Sequence, residues 1–184
     1  RRQRQMCIRD SLDSTQAMDE KKMPKNLTII GAGYIGLEFA SMFAKYGSKV
    51  TVLDHNKEFL AREDEDISNA VRKDMEDAGI KFELGADIEK ITDETSNAKI
   101  TYQINEERKT ISADRILVAT GRKPNTENLG LENTAIETTD RGAIKVDDFL
   151  RTTVDNVWAI GDVKGGLQFT YISLDDFRII KDQL

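Results

Sequence analysis

The sequence predicts an α/β fold in which a parallel sheet is accompanied by a β-meander, and three observations carry that prediction. An apolar segment, Leu27 to Ile30, runs through closely spaced glycines into a stretch of helical period and out to a second apolar segment, Val50 to Leu53. Three short alternating segments lie between Ile88 and Ser112, separated by turn-like residues. A continuous apolar run, Ile116 to Ala119, has the composition of a central strand buried on both faces.

Taken in order, Leu27, Ile29 and Ile30 form the first strand, and Gly31 allows the tight turn out of it. Phe39 with Phe43 and Ala40 with Ala44, each pair four apart, give the next helix an apolar face, and Gly47 stops it. Val50, Val52 and Leu53 form the second strand and end at Asp54. Carboxylates from Glu63 to Asp66 favour a helix start ahead of the stripe Ile67, Val71, Met75 and Ala78, with Gly79 as its cap. Ile80, Phe82 and Leu84 alternate as a third strand that Gly85 ends. The meander then follows as Ile88 to Thr92, Ala98 to Ile104 and Lys109 to Ser112, with turns at Asp93 to Asn97 and Asn105 to Arg108. After Ile116 to Ala119 the chain reaches Thr120 and Gly121, at the sheet edge where ligands bind in such folds. Arg122 to Asp140 is loop-rich; strands are expected at Ala143 to Val146 and Val157 to Ile160, and a helix from about Tyr171.

The spacing of Gly31, Gly33 and Gly36 is GxGxxG, placed between a strand and a helix, with an acid at the end of the following strand. This reads as a Rossmann-like dinucleotide-binding unit with each part in order; the alternative is a glycine-rich turn that binds nothing. Gly33, lacking a Cβ, lets backbone approach a pyrophosphate at the positive helix N-terminus, with Tyr34 and Ile35 in that first turn. Gly36 and Ala40 let the helix lie close against the sheet. Asp54 is placed to accept hydrogen bonds from a ribose 2′-hydroxyl and would repel a 2′-phosphate, so the unit leans toward NAD(H) over NADP(H). Lys57 and Arg62, just downstream, soften that preference.

The 184 residues suffice for one compact domain and part of a second, and no apolar run approaches transmembrane length. A net charge of −6 argues against nucleic acid or an anionic membrane as partner. One cysteine, Cys7, precludes an intrachain disulfide, so a reducing, cytoplasmic setting is the default, and no metal-ligand cluster is expected. Arg1, Arg2, Arg4 and Arg9 crowd a stretch without periodicity. It is either a targeting peptide or, the reading favoured here, non-native sequence from Arg1 to about Asp10, Cys7 included. From about Leu12 to residue 23 the chain reads as linker, with Pro24 just ahead of the first strand.

Read together, GAGYIGLEFA (Gly31 to Ala40), ATGRKPN (Ala119 to Asn125) and VDNVWAIGDV (Val154 to Val163) resemble the flavin-dependent pyridine nucleotide-disulfide oxidoreductases, the family of dihydrolipoamide dehydrogenase, glutathione reductase and mercuric reductase. Gly166 to Ile180 is most similar to its bacterial branch linked to reactive-chlorine resistance. The resemblance implies residues 24–121 as the NAD(P)H-binding domain and 122–184 as the returning, incomplete segment of a split FAD-binding domain, in a protein truncated at both ends. The family's FAD fingerprint, CxxxxC pair and catalytic histidine have no counterpart here; His55 reads as a surface or adenosine-side residue.

By the same resemblance, Tyr34 matches a tyrosine that covers the flavin and swings aside for nicotinamide; the alternative is an ordinary first-turn aromatic. Glu38 matches a glutamate near the carboxamide, or is a solvated helix residue. Gly121 and Arg122 would border the nucleotide, although Arg122 also fits a loop cation. Gly161 and Asp162 follow an apolar segment, where the carboxylate would bond the ribityl chain of FAD; a simple turn aspartate is the alternative. The implied activity passes hydride from NADH to FAD and on to a disulfide or other small-molecule acceptor, in a homodimeric full-length enzyme. The fragment alone is expected to be inactive. The competing readings are a stand-alone nucleotide-binding or redox-sensing module and a structural domain on an inherited fold.

Overall fold

Side-chain alternation along the strands decides how the first part of the chain is layered. The computed structural model describes residues 11–94 and 97–184. In chain order the elements are β1 (Ser11–Leu12), α1 (Ser14–Met18), β2 (Asn26–Ile30), α2 (Tyr34–Lys45), β3 (Lys49–Asp54), α3 (Glu65–Asp77), β4 (Lys81–Leu84), β5 (Asp87–Asp93), β6 (Ala98–Ile104), β7 (Glu107–Ala113), β8 (Arg115–Val118) and α4 (Thr170–Lys181). The chain divides into two compact units, residues 1–121 and 122–184.

In the first unit five parallel strands are ordered β1-β8-β2-β3-β4, and β5-β6-β7 form a separate antiparallel sheet. Leu27, Ile29, Val50, Val52 and Leu117 point to one face, where they pack with Leu37, Phe39, Ala40 and Phe43 of α2, Met75 of α3 and Ala17 of α1. Ile30, Leu53 and Ile116 point to the other and pack with Ala98, Ile100 and Tyr102 of β6 and Ala113 of β7. With side chains alternating across a strand, one sheet thus supplies two cores, and its strands read as unbroken apolar runs. The meander does what a second helical layer does in other such folds.

Local chemistry sets the ends of the elements. Gly47, at φ +94°, turns the chain out of α2, and the Ser48 N–H donates back to the Phe43 carbonyl at 3.0 Å. Glu65 and Asp66 lie in the first turn of α3, and Gly79, at φ +86°, follows its end. Asn105 and Glu106, at φ +48° and +68°, make the two-residue turn between β6 and β7 with the mirror-image geometry that suits strand twist.

Three expectations need correction. Residues 11–18 are not linker: Ser11 and Leu12 pair in parallel with Ile116 and Leu117, and α1 begins with a capping box in which Asp13 and Gln16 bond each other's backbone. Residues 1–10, including Cys7 and the arginines, and residues 95–96 of the first meander turn lie outside the described residues. The expected strands at Ala143 to Val146 and Val157 to Ile160 are absent; single antiparallel bridges, Thr138 with Ile144 and Arg151 with Trp158, stand in their place. An apolar β-branched segment becomes a strand only where a neighbour completes its ladder, and within this unit each finds one bridge.

The second unit is held chiefly by turns and polar contacts. Asp147 accepts from the backbone N–H groups of Phe149 (2.9 Å) and Arg151 (2.8 Å). Gln183 accepts from the Arg151 guanidinium and donates to the Phe149 carbonyl. Ala143, Ile144, Leu150 and Ala159 are its buried apolar residues.

Candidate functional site

The three glycines between β2 and α2 are required by different things. Gly31 has φ +111°, and a Cβ there would lie 2.5 Å from the Ala119 carbonyl oxygen. At Gly36 a Cβ would lie 2.0 Å from the Gly31 carbonyl oxygen, so the close seating of α2 excludes any side chain. Gly33 is different: it is exposed, its φ is an ordinary −79°, and a Cβ would meet no atom within 4 Å. No steric contact within the chain therefore requires glycine at position 33, and the space beside it is open. That space stands at the N-terminus of α2, where Gly33 is the N-cap and no side chain caps the helix. An uncapped N-terminus with its partial positive charge and a vacant volume suits an anionic group.

The loop is firmly placed. The Gly31 N–H donates to the Leu53 carbonyl at 2.8 Å, and the Ala32 N–H donates to Asp54 Oδ2 at 2.5 Å. Asp54 Oδ1 accepts from the Asn56 N–H at 2.7 Å. Beside these residues lies a cleft of about 720 Å³ lined by Gly31, Asp54, His55, Asn56, Ile88 and Thr120, among others. One wall belongs to the C-terminal edge of the parallel sheet and the opposite wall to β5, including Asp87 and Glu89. Its floor carries Ile30, Leu53 and Ala86. An apolar floor with carboxylates at the rim fits a flat aromatic group attached to a polyhydroxyl sugar.

Of the residues expected from sequence, Gly31 and Asp54 meet in this cleft, while Gly33, Ile35 and Gly36 frame the helix start. Tyr34 is 43 % exposed at the first position of α2, and its hydroxyl donates to Glu63, a partner that sequence reasoning did not name. Glu38, one turn on, is exposed and makes no ion pair among the described residues. Gly121, at φ +120°, ends the first unit just after Thr120, and the exposed Arg122 begins the second. His55 lines the cleft and its Nδ1 lies 2.6 Å from Asp87 Oδ1.

Gly161 and Asp162 sit in the second unit, in a 3₁₀ turn spanning Gly161–Lys164. Asp162 is exposed, but the carboxylate that shapes the turn is Asp176 of α4, only 5 % exposed. It accepts from the Gly161 N–H at 2.8 Å and pairs with Lys164 Nζ at 3.5 Å. An acid on a short amphipathic helix reads as solvent-facing, so no sequence signal marked it. The indole N–H of Trp158 is buried without a hydrogen-bond partner. Among the described residues no cluster of three or more His, Cys, Asp or Glu could hold a metal ion, and no helix is long and apolar enough to cross a membrane.

Comparison with known proteins gives a consistent family. The model of the pyridine nucleotide-disulphide oxidoreductase family matches residues 3–176, a span that takes in most of the segment read above as foreign. The chain is 49 % identical over 172 residues to the probable pyridine nucleotide-disulfide oxidoreductase RclA of Escherichia coli strain K12, covering 94 % of this chain and 38 % of that protein. It is 40 % identical over 161 residues to dihydrolipoyl dehydrogenase of Staphylococcus aureus, covering 87 % and 34 %. The solved structure of the HOCl-induced flavoprotein disulfide reductase RclA from Escherichia coli superposes with a TM-score of 0.88 at 46 % identity, covering 95 % of this chain and 39 % of that one. The chain thus spans a little over a third of the length of the curated relatives it matches. It belongs to the pyridine nucleotide-disulphide oxidoreductase family.

Proposed function

We propose that residues 24–121 of this family member bind a nicotinamide adenine dinucleotide, NADH in preference to NADPH, and that residues 122–184 contribute to a flavin site in the whole protein. The observation that carries the reading is the contrast among the glycines: Gly31 and Gly36 answer to the fold, whereas Gly33 leaves an unfilled volume over an uncapped helix N-terminus. The pyrophosphate takes that volume, and the adenosine end takes the cleft between Asp54 and β5. Asp54, Asp87 and Glu89 give this cleft a negative rim that disfavours a 2′-phosphate. Tyr34 and Glu38, a turn apart on α2, orient the nicotinamide end.

When bound, the dinucleotide supplies hydride and the flavin accepts it; the chain's own contribution is placement and exclusion of water. Gly161 and Asp162 hold the ribityl chain, with Asp162 offering an exposed carboxylate from a turn that Asp176 fixes. The complete protein is then an FAD-dependent NADH oxidoreductase acting on a disulfide or similar acceptor, active as a homodimer in the cytoplasm.

The decisive experiment is titration of the 184-residue chain with NADH, followed by fluorescence, beside a Gly33→Ala variant. The expected result is binding by the parent, at least about tenfold weaker binding by the variant, and a loss of stability no larger than the roughly 1 kcal/mol that alanine costs at an N-cap, since a Cβ there meets no atom within 4 Å. Equal affinity in both proteins would remove the pyrophosphate from Gly33.

A further inference from the structure

The Asp54 carboxylate is already engaged before any sugar arrives. Each oxygen accepts one backbone N–H: Oδ2 from Ala32, in the glycine loop, and Oδ1 from Asn56, in the turn after β3. The Gly31 N–H also donates to the carbonyl of Leu53, the residue before Asp54. The side chain is partly buried, so these charge-assisted bonds are screened less than they would be at the surface. A carboxylate oxygen has two acceptor positions, which leaves one on each oxygen for a ligand.

We infer that Asp54 is a positioning residue for the phosphate-binding loop as well as a partner of the sugar, so that the two ends of the nucleotide site are coupled through one side chain. Without the carboxylate the Ala32 N–H loses its acceptor, and Ala32 is one residue from Gly33, where the anion is received. The loop remains anchored at Gly31 by its steric fit against Ala119 and by the Leu53 carbonyl, so the change is confined to residues 32–33. A role limited to the ribose predicts that a nucleotide without ribose hydroxyls is indifferent to Asp54. The coupled role predicts that such a nucleotide is bound less well when Asp54 is replaced. Loss of a negative charge by itself would favour an anionic ligand, so weaker binding cannot come from charge.

This inference rests on the dinucleotide reading, and the test separates the two. ADP and 2′,3′-dideoxy-ADP are titrated into the parent chain, Asp54→Ala and Asp54→Asn, and amide hydrogen exchange is followed in the ligand-free proteins. Expected are at least tenfold weaker dideoxy-ADP binding in Asp54→Ala, an intermediate loss in Asp54→Asn, which keeps one acceptor oxygen, and at least tenfold faster exchange of the Ala32 amide with unchanged exchange in β2. Unchanged Ala32 exchange in both variants, or equal dideoxy-ADP affinity in all three proteins, would overturn the coupling. A parent chain that binds neither nucleotide would sink the dinucleotide reading, while the exchange of Ala32 would still decide whether Asp54 fixes the loop.

Discussion

The two units of this chain solve the folding problem by different means. Residues 11–121 bury Leu27, Ile29, Val52, Leu53, Ile116 and Leu117 almost completely, on both faces of one parallel sheet. Residues 122–184 contain no ladder at all and leave Phe149, Leu167, Tyr171, Leu174 and Phe177 more than half exposed. In the first unit burial of apolar area dominates and polar contacts adjust the ends of elements. In the second, a few polar anchors, Asp147, Asp176 and Gln183, take the leading part. Apolar contribution scales with area removed from water, so the first unit is expected to be the more stable one.

The contrast can be broken by unfolding measurements that report each unit separately. Trp158, the single tryptophan, lies in the second unit, whereas far-UV circular dichroism is dominated by the helices and sheets of the first. In urea the fluorescence transition should precede the dichroism transition; coincident curves would show one cooperative body. The largest single effect belongs to Leu53→Ala, which should remove about 3 kcal/mol from the dichroism transition by opening a cavity in a fully buried site. Asp176→Ala comes next: it strips the Gly161 N–H and Lys164 of a buried partner and should cost about 2 kcal/mol, read by fluorescence alone. Leu174→Ala, at a side chain 51 % exposed, should change the stability read by fluorescence by less than about 0.5 kcal/mol.

The smallest effect is electrostatic. The Arg115 guanidinium, hydrogen-bonded to Glu20 at 2.9 Å, holds the Glu20 carboxyl below the usual glutamate range. A depressed carboxylate pKa contributes stability above the unfolded-state value, and that contribution fades as pH falls through the folded-state value. Acid denaturation of the first unit should therefore be shallower in Glu20→Gln than in the parent, and equal slopes would assign the pair no role.

How much of this was legible beforehand follows the same division. Gly31, Gly36, Gly47, Gly79 and the alternation of Ala98, Ile100, Tyr102 and Ile104 mark elements through local sterics and period, and the parallel sheet and meander stand where they placed them. The five residues of the helix Ser14–Met18 carry no periodicity, although the pair Asp13 and Gln16 is a usable start signal. Val157 to Ile160 has the apolar content of a strand but only one bridge, because apolar content does not specify whether a partner strand is present. Gly31 and Asp54 line one cleft, whereas Glu63 beside Tyr34 and Asp176 beside Gly161 depend on contacts 29 and 15 residues apart that no local pattern encodes.

The two-residue strand β1 has a role out of proportion to its size. Ser11 and Leu12 cover the outer hydrogen-bonding edge of β8, which would otherwise present a row of open N–H and C=O groups ready to template another chain. A protease that trims the chain back to Asp13 would leave the cleft beside Asp54 intact and uncover that row. The trimmed protein is expected to associate more readily on storage than the parent, a difference that thioflavin fluorescence would report.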